Sequence, residues 1–470
     1  MENTVAKNDL VLDVHEVPAK KSQWVLLSIQ HILAMFVACI TVPLLVGTSI
    51  PATIISAGVG TLIYIFLTQK KSPVVLSSSF AYIASMTVAF GLGDGKNYLA
   101  LAIGMGMVGL IYVIVALVIK KFGTAWLFKL LPTIVVGPVI MVIGLSLAGS
   151  AVNNLTNTAA NAANYNLIHI FCGLVALFAT ALTAHYGNKT LSLIPFVIGM
   201  LAGYGVALIW TGIGYAASWD YAKVIDFSPV VNNFTNMGVT SFIGYDCFAF
   251  LQWNFGSIEV GDLLTIFLAF VPVSLVTICE HIGDHLNLGG VIHKDLLKDP
   301  GLDRTLMGDG IATAVSGVLC GCANTTYGEN VAVVGVTKVA SVRVIITACI
   351  ATIALGFFTP LMVVVQTIPA CVTGGVSLVL YGFIASSGVK MLINEKVDFT
   401  VSRNIFIAAA ILVAGIGGLT IQFSIAGQAV KVTPTAVAMI LGIILNMVLR
   451  EKKAPCCDCE ACKAVEEKAE

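Results

Sequence analysis

Apolar runs of about twenty residues, separated by short polar stretches, follow one another along the chain from residue 24 to residue 449. A helix needs about 20 mostly apolar residues to cross a bilayer. By this measure the sequence predicts fourteen spans, seven on each side of a polar, aromatic-rich extracytoplasmic connection over residues 214–260. The predicted spans are 24–46, 52–68, 74–92, 98–119, 124–149, 165–184, 191–213, 262–288, 308–321, 323–340, 343–366, 370–392, 404–420 and 432–449.

The composition agrees with this pattern. Of the 470 residues, 58% are hydrophobic and 11% are charged, which excludes a water-soluble globular surface. The formal net charge is zero, so no nucleic-acid partner is indicated. The sequence therefore predicts an all-α polytopic membrane protein embedded in the lipid bilayer.

Three pairs of segments match one another, in the same order, between the two halves of the chain. SIQHILAMF around Gln30 matches TICEHIGDH around Glu280, SSSFAY from Ser77 matches NTTYGE from Asn324, and LPTIVVGPV from Leu131 matches IPACVTGGV from Ile368. The chain is therefore predicted to be duplicated, with the first copy over residues 24–213 and the second over residues 261–450. Seven spans per copy is an odd number, so the second copy enters the membrane upside down and the repeat is inverted.

Lysine and arginine residues favour one orientation of this fold, because cytoplasmic loops hold an excess of them. If both termini are cytoplasmic, only Lys96, Lys223 and Lys431 lie on the outer side. This predicts a multi-pass protein of the cytoplasmic (inner) membrane, with one cytoplasmic tail over residues 1–23 and a Cys-rich one over residues 451–470. Cys456, Cys457, Cys459 and Cys462 in that tail either form a four-thiolate metal site or remain without a defined role.

Two segments, PVVLSSSFAY in span 3 and GCANTTYGEN in span 10, do not have the pattern of continuous helices. Each places Ser, Thr or Asn after a short β-prone stretch and before a new apolar helical run, and these residues favour helix caps. The sequence predicts a short strand followed by a half-helix in each segment. Irregular backbone of this kind is tolerated in a membrane only where protein buries it or where it lines a cavity.

Ionisable residues inside predicted spans are the candidate functional groups, because they are costly there and usually serve function. Glu280 and Glu329 are the first candidates, although a single carboxylate can also pair two helices. Asp284 and His285 lie one turn beyond Glu280 and His281. His281 is predicted either to take part in coupling or to pack against a neighbouring helix.

Several polar residues near these carboxylates are predicted to support the site. Asn330 either contacts substrate or holds the broken helix together, and Phe80 either covers the substrate or belongs to the core. Gln30 and His31, the repeat partners of Glu280 and His281, are predicted to support the site rather than contact the substrate.

The segments QHILAMF from Gln30, EHIGDH from Glu280, KDLLKDPGLDR from Lys294 and TYGEN from Thr326 resemble the nucleobase-ascorbate transporter family, in particular its uracil permeases. The resemblance covers nearly the whole chain. The family motif is matched by Glu329-Asn330-Val331-Ala332 followed by Thr337-Lys338, with Ala332 where a glycine is usual.

This resemblance implies a core domain that binds the base and moves against a gate domain, in a protein that is often a homodimer. The core comprises spans 1–4 and 8–11, about residues 24–122 and 261–366. The gate comprises spans 5–7 and 12–14, about residues 123–213 and 367–450. Some relatives carry His where this chain has Asp284, so the resemblance leaves the proton-linked partner open.

By the same resemblance, the substrate-binding residues are two carboxylates framed by three neighbours. They are Glu280, Glu329, Phe80, Tyr327 and Gly328. Uracil agrees with such a site, because carboxylates accept from its two N–H groups while half-helix N–H groups donate to its carbonyls. A neutralised carboxylate is easier to move within a membrane, so proton coupling through Glu280, Asp284 and His285 is predicted.

Alternative functions are a purine permease of the same family and an anion exchanger of the same plan. A carboxylate pair would repel an anion, and purine-selective relatives more often carry Gln at the position of Glu329. His281 and His285 have the i, i+4 spacing of zinc proteases, but Ile282 stands where those enzymes carry their catalytic Glu. Neither an enzyme nor a bound cofactor is therefore predicted.

Overall fold

The structure is a computed structural model that describes residues 10–93, 96–156, 166–188, 191–235, 237–244, 248, 258–425 and 428–449. The predicted Cys-rich tail over 451–470 lies outside the described residues. So do parts of the predicted tail over 1–23 and of the connection over 214–260.

Helices make up most of the described chain. The helices are α1 (Lys21–Val46), α2 (Ile50–Leu67), α3 (Ile83–Phe90), α4 (Tyr98–Phe122), α5 (Ala125–Leu130), α6 (Thr133–Ser146), α7 (Ala148–Thr156), α8 (Leu167–Tyr186), α9 (Pro195–Ala216), α10 (Ser228–Thr235), α11 (Val260–Ile292), α12 (Leu302–Val318), α13 (Gly328–Thr337), α14 (Val342–Phe357), α15 (Thr359–Gln366), α16 (Ala370–Asn394), α17 (Ser402–Ile416) and α18 (Pro434–Val448). The strands are β1 (Leu76–Ser78), β2 (Asn324–Thr326), β3 (Ile421–Ile425) and β4 (Gln428–Val432).

Eight membrane-crossing candidates, by length and apolar composition, occur among the described helices. The longest is the stretch Gly261–Ile292 within α11, and α14, α17 and α18 are shorter apolar helices. This agrees with a multi-pass membrane protein, while the count of fourteen spans stays a prediction.

Prolines divide two of the predicted spans. The predicted span over residues 124–149 is divided between α5 and α6, because Leu131 precedes Pro132 and takes a non-helical conformation (φ −122°, ψ 67°). Helices α6 and α7 meet at Leu147, which keeps a helical conformation (φ −85°, ψ −10°). The predicted span over residues 343–366 is broken at Phe358, two residues before Pro360, into α14 and α15. A proline ring would clash with the carbonyl four residues earlier, so a helix cannot continue through it without a kink.

Besides the two short strands predicted in spans 3 and 10, the structure has a second strand pair that was not predicted, because β3 and β4 form an antiparallel hairpin that pairs Ile421 with Val432. Residues 404–420 and 432–449 were predicted as spans, with a loop between them. Helix α17 ends at Ile416, and Gly418 turns the chain in a left-handed conformation (φ 75°). The hairpin occupies the stretch between the two predicted spans, because a pattern of apolar runs does not reveal the pairing of two short strands.

Two groups of helices pack closely. In one group α12 lies against α2 and α4, and α14 lies against α2. In the other, α16 packs on α6, α7 and α8. Glycines permit these contacts: a Cβ on Gly375 of α16 would lie 2.0 Å from the carbonyl oxygen of Gly173 on α8. The predicted assignment of these groups to a core and a gate domain stays a prediction.

Candidate functional site

The centre of the site is the pairing of β1 with β2, which joins the two halves of the chain. The strands are antiparallel, with Leu76 opposite Thr326 and Ser78 opposite Asn324, and all six residues are buried. Each strand leads into a short helix, α3 or α13. This agrees with the predicted strand and half-helix in spans 3 and 10. Because the strands are antiparallel, the two helices leave the pair in opposite directions, and the amino end of each faces back towards it.

Helix α13 begins at the site without a side-chain cap. Its N-cap residue, Tyr327, makes no capping hydrogen bond through its side chain. The first turn of a helix has N–H groups without intrahelical acceptors and a partial positive charge. Gly328 is exposed and Glu329 is half-buried in this first turn, so both can meet a ligand.

Helix α11 brings two further carboxylates to the same place. Glu280 and Asp284 are both half-buried and stand one turn apart on one face of the helix. The hydroxyl of Thr326 donates to Oδ2 of Asp284 over 2.7 Å. A Cβ on Gly328 would lie 3.6 Å from Oδ1 of Asp284. Glu280 interacts electrostatically with Asp284 and with Glu329, so the structure brings the three predicted carboxylates together.

A fourth carboxylate, Asp309 of α12, was missed by the sequence analysis. It is fully buried, and its Oδ2 lies 2.8 Å from Nδ1 of His281, which is also fully buried. Asp309 stood at the second position of a span predicted over residues 308–321, where a charge is expected at the membrane edge. Helix α12 instead starts at Leu302, which places Asp309 in its third turn. The sequence feature that could have identified Asp309 is a single carboxylate, flanked by Gly308 and Gly310, inside a predicted span.

His285 lies behind the carboxylates, in a network of buried polar groups. Its Nδ1 donates to the carbonyl oxygen of His281 over 2.7 Å, because that oxygen can only accept. In the neutral ring, Nε2 then accepts from the hydroxyl of Tyr64 over 2.6 Å, and Tyr64 also bonds Ser72 over 2.8 Å. The rings of His281 and His285 stack with centroids 4.1 Å apart. His285 is thus held in place by hydrogen bonds within α11 and to α2, and its predicted role in proton coupling stays a prediction.

His31 and Asn330 connect α1 to α13. Nδ1 of His31 lies 2.8 Å from Oδ1 of Asn330, so the ring donates and the amide accepts. Gln30 is also buried, and its Oε1 and the Nδ2 of Asn330 have no partner among the described residues. These three residues lie beside the half-helix that carries Glu329, where the sequence analysis predicted supporting residues.

Phe80 and Tyr327 are both buried, at 8% and 5% exposure. Phe80 packs edge-on against Tyr381 of α16, with ring centroids 6.2 Å apart. The hydroxyl of Tyr381 is buried without a partner among the described residues. Tyr381 was not among the predicted site residues, because a single aromatic residue in an apolar run does not indicate which residue it contacts.

Metal binding has little support in this geometry. Among the described residues, no three His, Cys, Asp or Glu side chains converge on a point suited to a metal ion. The Nδ1 atoms of His281 and His285 are already hydrogen-bonded. Two half-helix ends, half-buried carboxylates and aromatic cover instead suit a small polar molecule that both donates and accepts hydrogen bonds.

Solved structures with a similar fold are known for anion transporters. The transmembrane domain of the cyanobacterial bicarbonate transporter BicA matches with a TM-score of 0.59 and 12% identity, covering 92% of this chain and 99% of that one. Murine Slc26a9, an anion transporter, matches with a TM-score of 0.62 and 10% identity, covering 93% and 69% of the two chains. At such identities the likeness concerns the fold alone.

Curated relatives are far closer in sequence. The uracil permease of Bacillus caldolyticus is 40% identical over 442 residues, covering 94% of this chain and 95% of the relative. That of Bacillus subtilis (strain 168) is 39% identical, covering 96% and 97% of the two chains. The uracil permease of Escherichia coli (strain K12) is 33% identical, covering 91% of each chain.

A family model described as Permease family (Xan_ur_permease) matches residues 22–423. Permeases are transporters rather than enzymes. The multi-pass fold, the extent of this match and the relatives named uracil permease together show that the chain belongs to this permease family.

Proposed function

We propose that this protein takes up uracil across the cytoplasmic membrane together with protons. The observation that carries the proposal is the meeting of Glu280 and Asp284 on α11 with Glu329 at the uncapped start of α13. Relatives of similar length that are named uracil permease support the same substrate.

Uracil suits the chemistry of this site. Its ring has two N–H donors and two carbonyl acceptors in one plane, with apolar faces above and below. Glu280 and Glu329 would accept from the N–H groups, while the N–H groups of the first turn of α13 at Gly328 would donate to a carbonyl. Phe80 and Tyr327 would cover the faces. A site that satisfies every polar atom of its ligand rejects analogues that leave buried groups unpaired.

The presence of three carboxylates in the site supports proton coupling. Three partly buried carboxyl groups at one point repel one another when ionised, and burial disfavours the charged form as well. A proton taken up by the cluster removes one charge and lowers the cost of moving it within the membrane. Glu280 and Asp284 are one turn apart, so the pair would share that proton and titrate together. His285 is kept as a candidate for passing the proton on.

The transport cycle would move one group of helices against the other. The core domain would comprise about residues 24–122 and 261–366, and the gate domain about residues 123–213 and 367–450. The contact between Phe80 and Tyr381 joins these groups beside the site, so it would break or shift as the domains move. Both termini would lie in the cytoplasm, and the protein would assemble as a homodimer.

An anion exchanger is the second candidate, because solved structures of similar fold include anion transporters. The carboxylates of the site oppose it, since they would repel a bound anion. A purine permease is the third candidate, because the matching family model is called Xan_ur_permease and is not named for uracil alone.

Uptake into proteoliposomes tests all three. Labelled uracil should accumulate when the outside is made acidic, and the accumulation should collapse with a protonophore. Unlabelled uracil should compete, whereas xanthine, hypoxanthine and bicarbonate should not. Competition by xanthine would favour a purine permease, and competition by bicarbonate an anion exchanger. Uptake that follows a sodium gradient and ignores a pH gradient would overturn the coupling while leaving the substrate intact.

A further inference from the structure

The segment that precedes α1 is hydrogen-bonded to the turn that follows α13. We call this segment, residues 10–16, the strap. Leu12 pairs in parallel with Val339, between α13 and α14. The N–H of Val11 donates to the carbonyl of Lys338 over 2.8 Å, and the N–H of Ala340 donates to that of Leu12 over 2.9 Å. The strap thus adds a short strand to the turn, as an extended peptide adds to a sheet edge.

Further along, the strap is bonded to the start of α14. The N–H of Val342 donates to the carbonyl of Val14 over 2.9 Å, and the hydroxyl of Ser341 donates to the carbonyl of Glu16 over 2.5 Å. The side chain of Val14 is 1% exposed and belongs to the main hydrophobic core, whereas Val11 is 68% exposed. The strap is therefore anchored by backbone bonds and by one buried side chain.

A second connection runs from the strap to α11. The carboxylate of Asp13 pairs with Nζ of Lys294 over 2.6 Å, and Lys294 follows His293, which ends α11 in a left-handed conformation (φ 55°). Lys338 ends α13 in the same way (φ 57°). The strap therefore contacts the ends of both helices that bring carboxylates to the site.

The helices are short enough to transmit this contact. Glu329 lies nine residues before Lys338, so at 1.5 Å per residue it is about 14 Å from that end of α13. Asp284 is ten residues before Lys294 on α11, at a similar distance. A helix moves as a rigid element over such a length, so a displacement at either end shifts its carboxylate relative to the other.

We infer that the strap is a positioning element that sets the spacing between the carboxylates of α11 and α13, and thereby the affinity for the bound base. The inference rests on the proposed function, because it takes Glu280 and Glu329 as the carboxylates that bind the base and Asp284 as the partner of Glu280 on α11. The strap contacts no substrate itself and acts only through the ends of the two helices. Val14 and the backbone bonds carry most of this effect, since an exposed ion pair contributes little by itself.

Val14→Ala in the full chain is the test, with Val11→Ala as its matched control because the same side chain is removed from an exposed position. Titration calorimetry of the purified protein should show uracil affinity falling three- to tenfold in Val14→Ala and unchanged in Val11→Ala. Hydrogen exchange over residues 328–338 should become faster in Val14→Ala alone. A lower melting temperature with wild-type affinity would mean that the strap only stabilises the fold, and would overturn the inference.

A charge exchange between Asp13 and Lys294 gives a second measurement. Asp13→Lys and Lys294→Asp should each speed exchange over residues 328–338, and the double variant should restore the wild-type rate. Lys298→Asp is the control, because that lysine pairs with nearby Asp295 and is not bonded to the strap in the part of the chain that the structure describes. Hydrogen exchange is measured without ligand, so it tests the role of the strap independently of the proposed substrate. Failure of the wild type to bind uracil would refute the proposed substrate, whereas wild-type exchange in all strap variants would refute the strap.

Discussion

Thr326 donates a 2.7 Å hydrogen bond from its hydroxyl to Oδ2 of Asp284, and this bond ties the strand pair to α11. Thr326 is 2% exposed, so its hydroxyl cannot readily exchange this bond for one with bulk water. Thr326→Val keeps the shape of the side chain and removes the donor. We expect it to lower the free energy of unfolding by about 1.5–3 kcal/mol, the range for a hydrogen bond to a charged group.

Thr325→Val is the matched control for this change. Thr325 belongs to the same strand, and its hydroxyl is buried without a partner among the described residues. Removing a hydroxyl that has no partner should be neutral or slightly stabilising. Thermal unfolding followed by fluorescence compares the two variants, and equal losses in both would show that the bond to Asp284 contributes nothing specific.

Glu329→Gln tests the second carboxylate of the proposed site. The amide presents donors where the carboxylate only accepts, so an N–H of uracil loses a charge-assisted partner. We expect the loss to be about 1.5–3 kcal/mol, or roughly tenfold to a hundredfold in dissociation constant. Titration calorimetry measures it, with the exposed Glu395→Gln as a control that should bind normally. Wild-type affinity in Glu329→Gln would place this residue outside the contacts to the base.

Asp309→Ala addresses the carboxylate that only the structure identified. Its removal leaves Nδ1 of His281 buried without an acceptor, which costs about 1–3 kcal/mol. Asp303→Ala, in the first turn of the same helix, removes a long 3.9 Å contact with the exposed Lys120 and should cost less than about 1 kcal/mol. Melting temperatures of the two variants should differ accordingly. A stable Asp309→Ala protein would contradict the buried bond as a structural requirement.

Gly375→Ala tests the packing of α16 on α8. The added methyl would lie 2.0 Å from a backbone carbonyl of Gly173, so the helices must separate. Overpacking of this kind costs about 1–3 kcal/mol. On the same helix, Gly382→Ala adds a methyl with nothing within 4 Å and should be neutral or stabilising. Comparable melting temperatures for the two variants would show that α16 and α8 are free to adjust.

Asp13 allows a prediction about pH outside the membrane helices. Partial burial raises the pKa of this carboxyl, but the hydrogen bonds from Lys294 and from the N–H of Val14 outweigh it and hold the pKa below its ordinary value. A lowered pKa stabilises the fold above the unfolded value of about 3.9, and this contribution is lost as the pH falls through the folded value.

Asp13→Asn should therefore reduce stability by less than about 1 kcal/mol, and by the same amount throughout pH 5 to 8. The difference from wild type should shrink only below about pH 4. Unfolding curves recorded across this range measure it. A difference that changes between pH 5.5 and 7.5 would indicate that Asp13 titrates with another group.

The sequence could predict those features that depend on local chemistry. Ser77 and Asn324 lie in polar clusters that interrupt apolar runs. These clusters predicted the two strands at the positions where the structure has them. Glu280 and Glu329 were recognisable as charges inside predicted spans. The hairpin at β3 and β4 was missed because it lies between two predicted spans, where the apolar pattern predicts only a loop.

Other features depend on contacts between distant parts of the chain. The partner of Asp309 lies 28 residues away, and Phe80 meets Tyr381 on another helix. The strap bonds Leu12 to Val339 across most of the chain. Spacing along the sequence carries no information about such pairs, whereas the order of the repeats did predict that spans 3 and 10 would meet.

The pairing of β1 with β2 also constrains how the protein is made. Leu76–Ser78 has its backbone partners in Asn324–Thr326, which leave the ribosome about 250 residues later. At roughly 5–20 residues per second, the first strand waits on the order of ten to fifty seconds for the second. During that interval the first half of the chain has unsatisfied backbone groups that lipid cannot bond. Insertion of this permease is therefore completed only when the second half arrives, and the first half expressed alone has no partner for its strand.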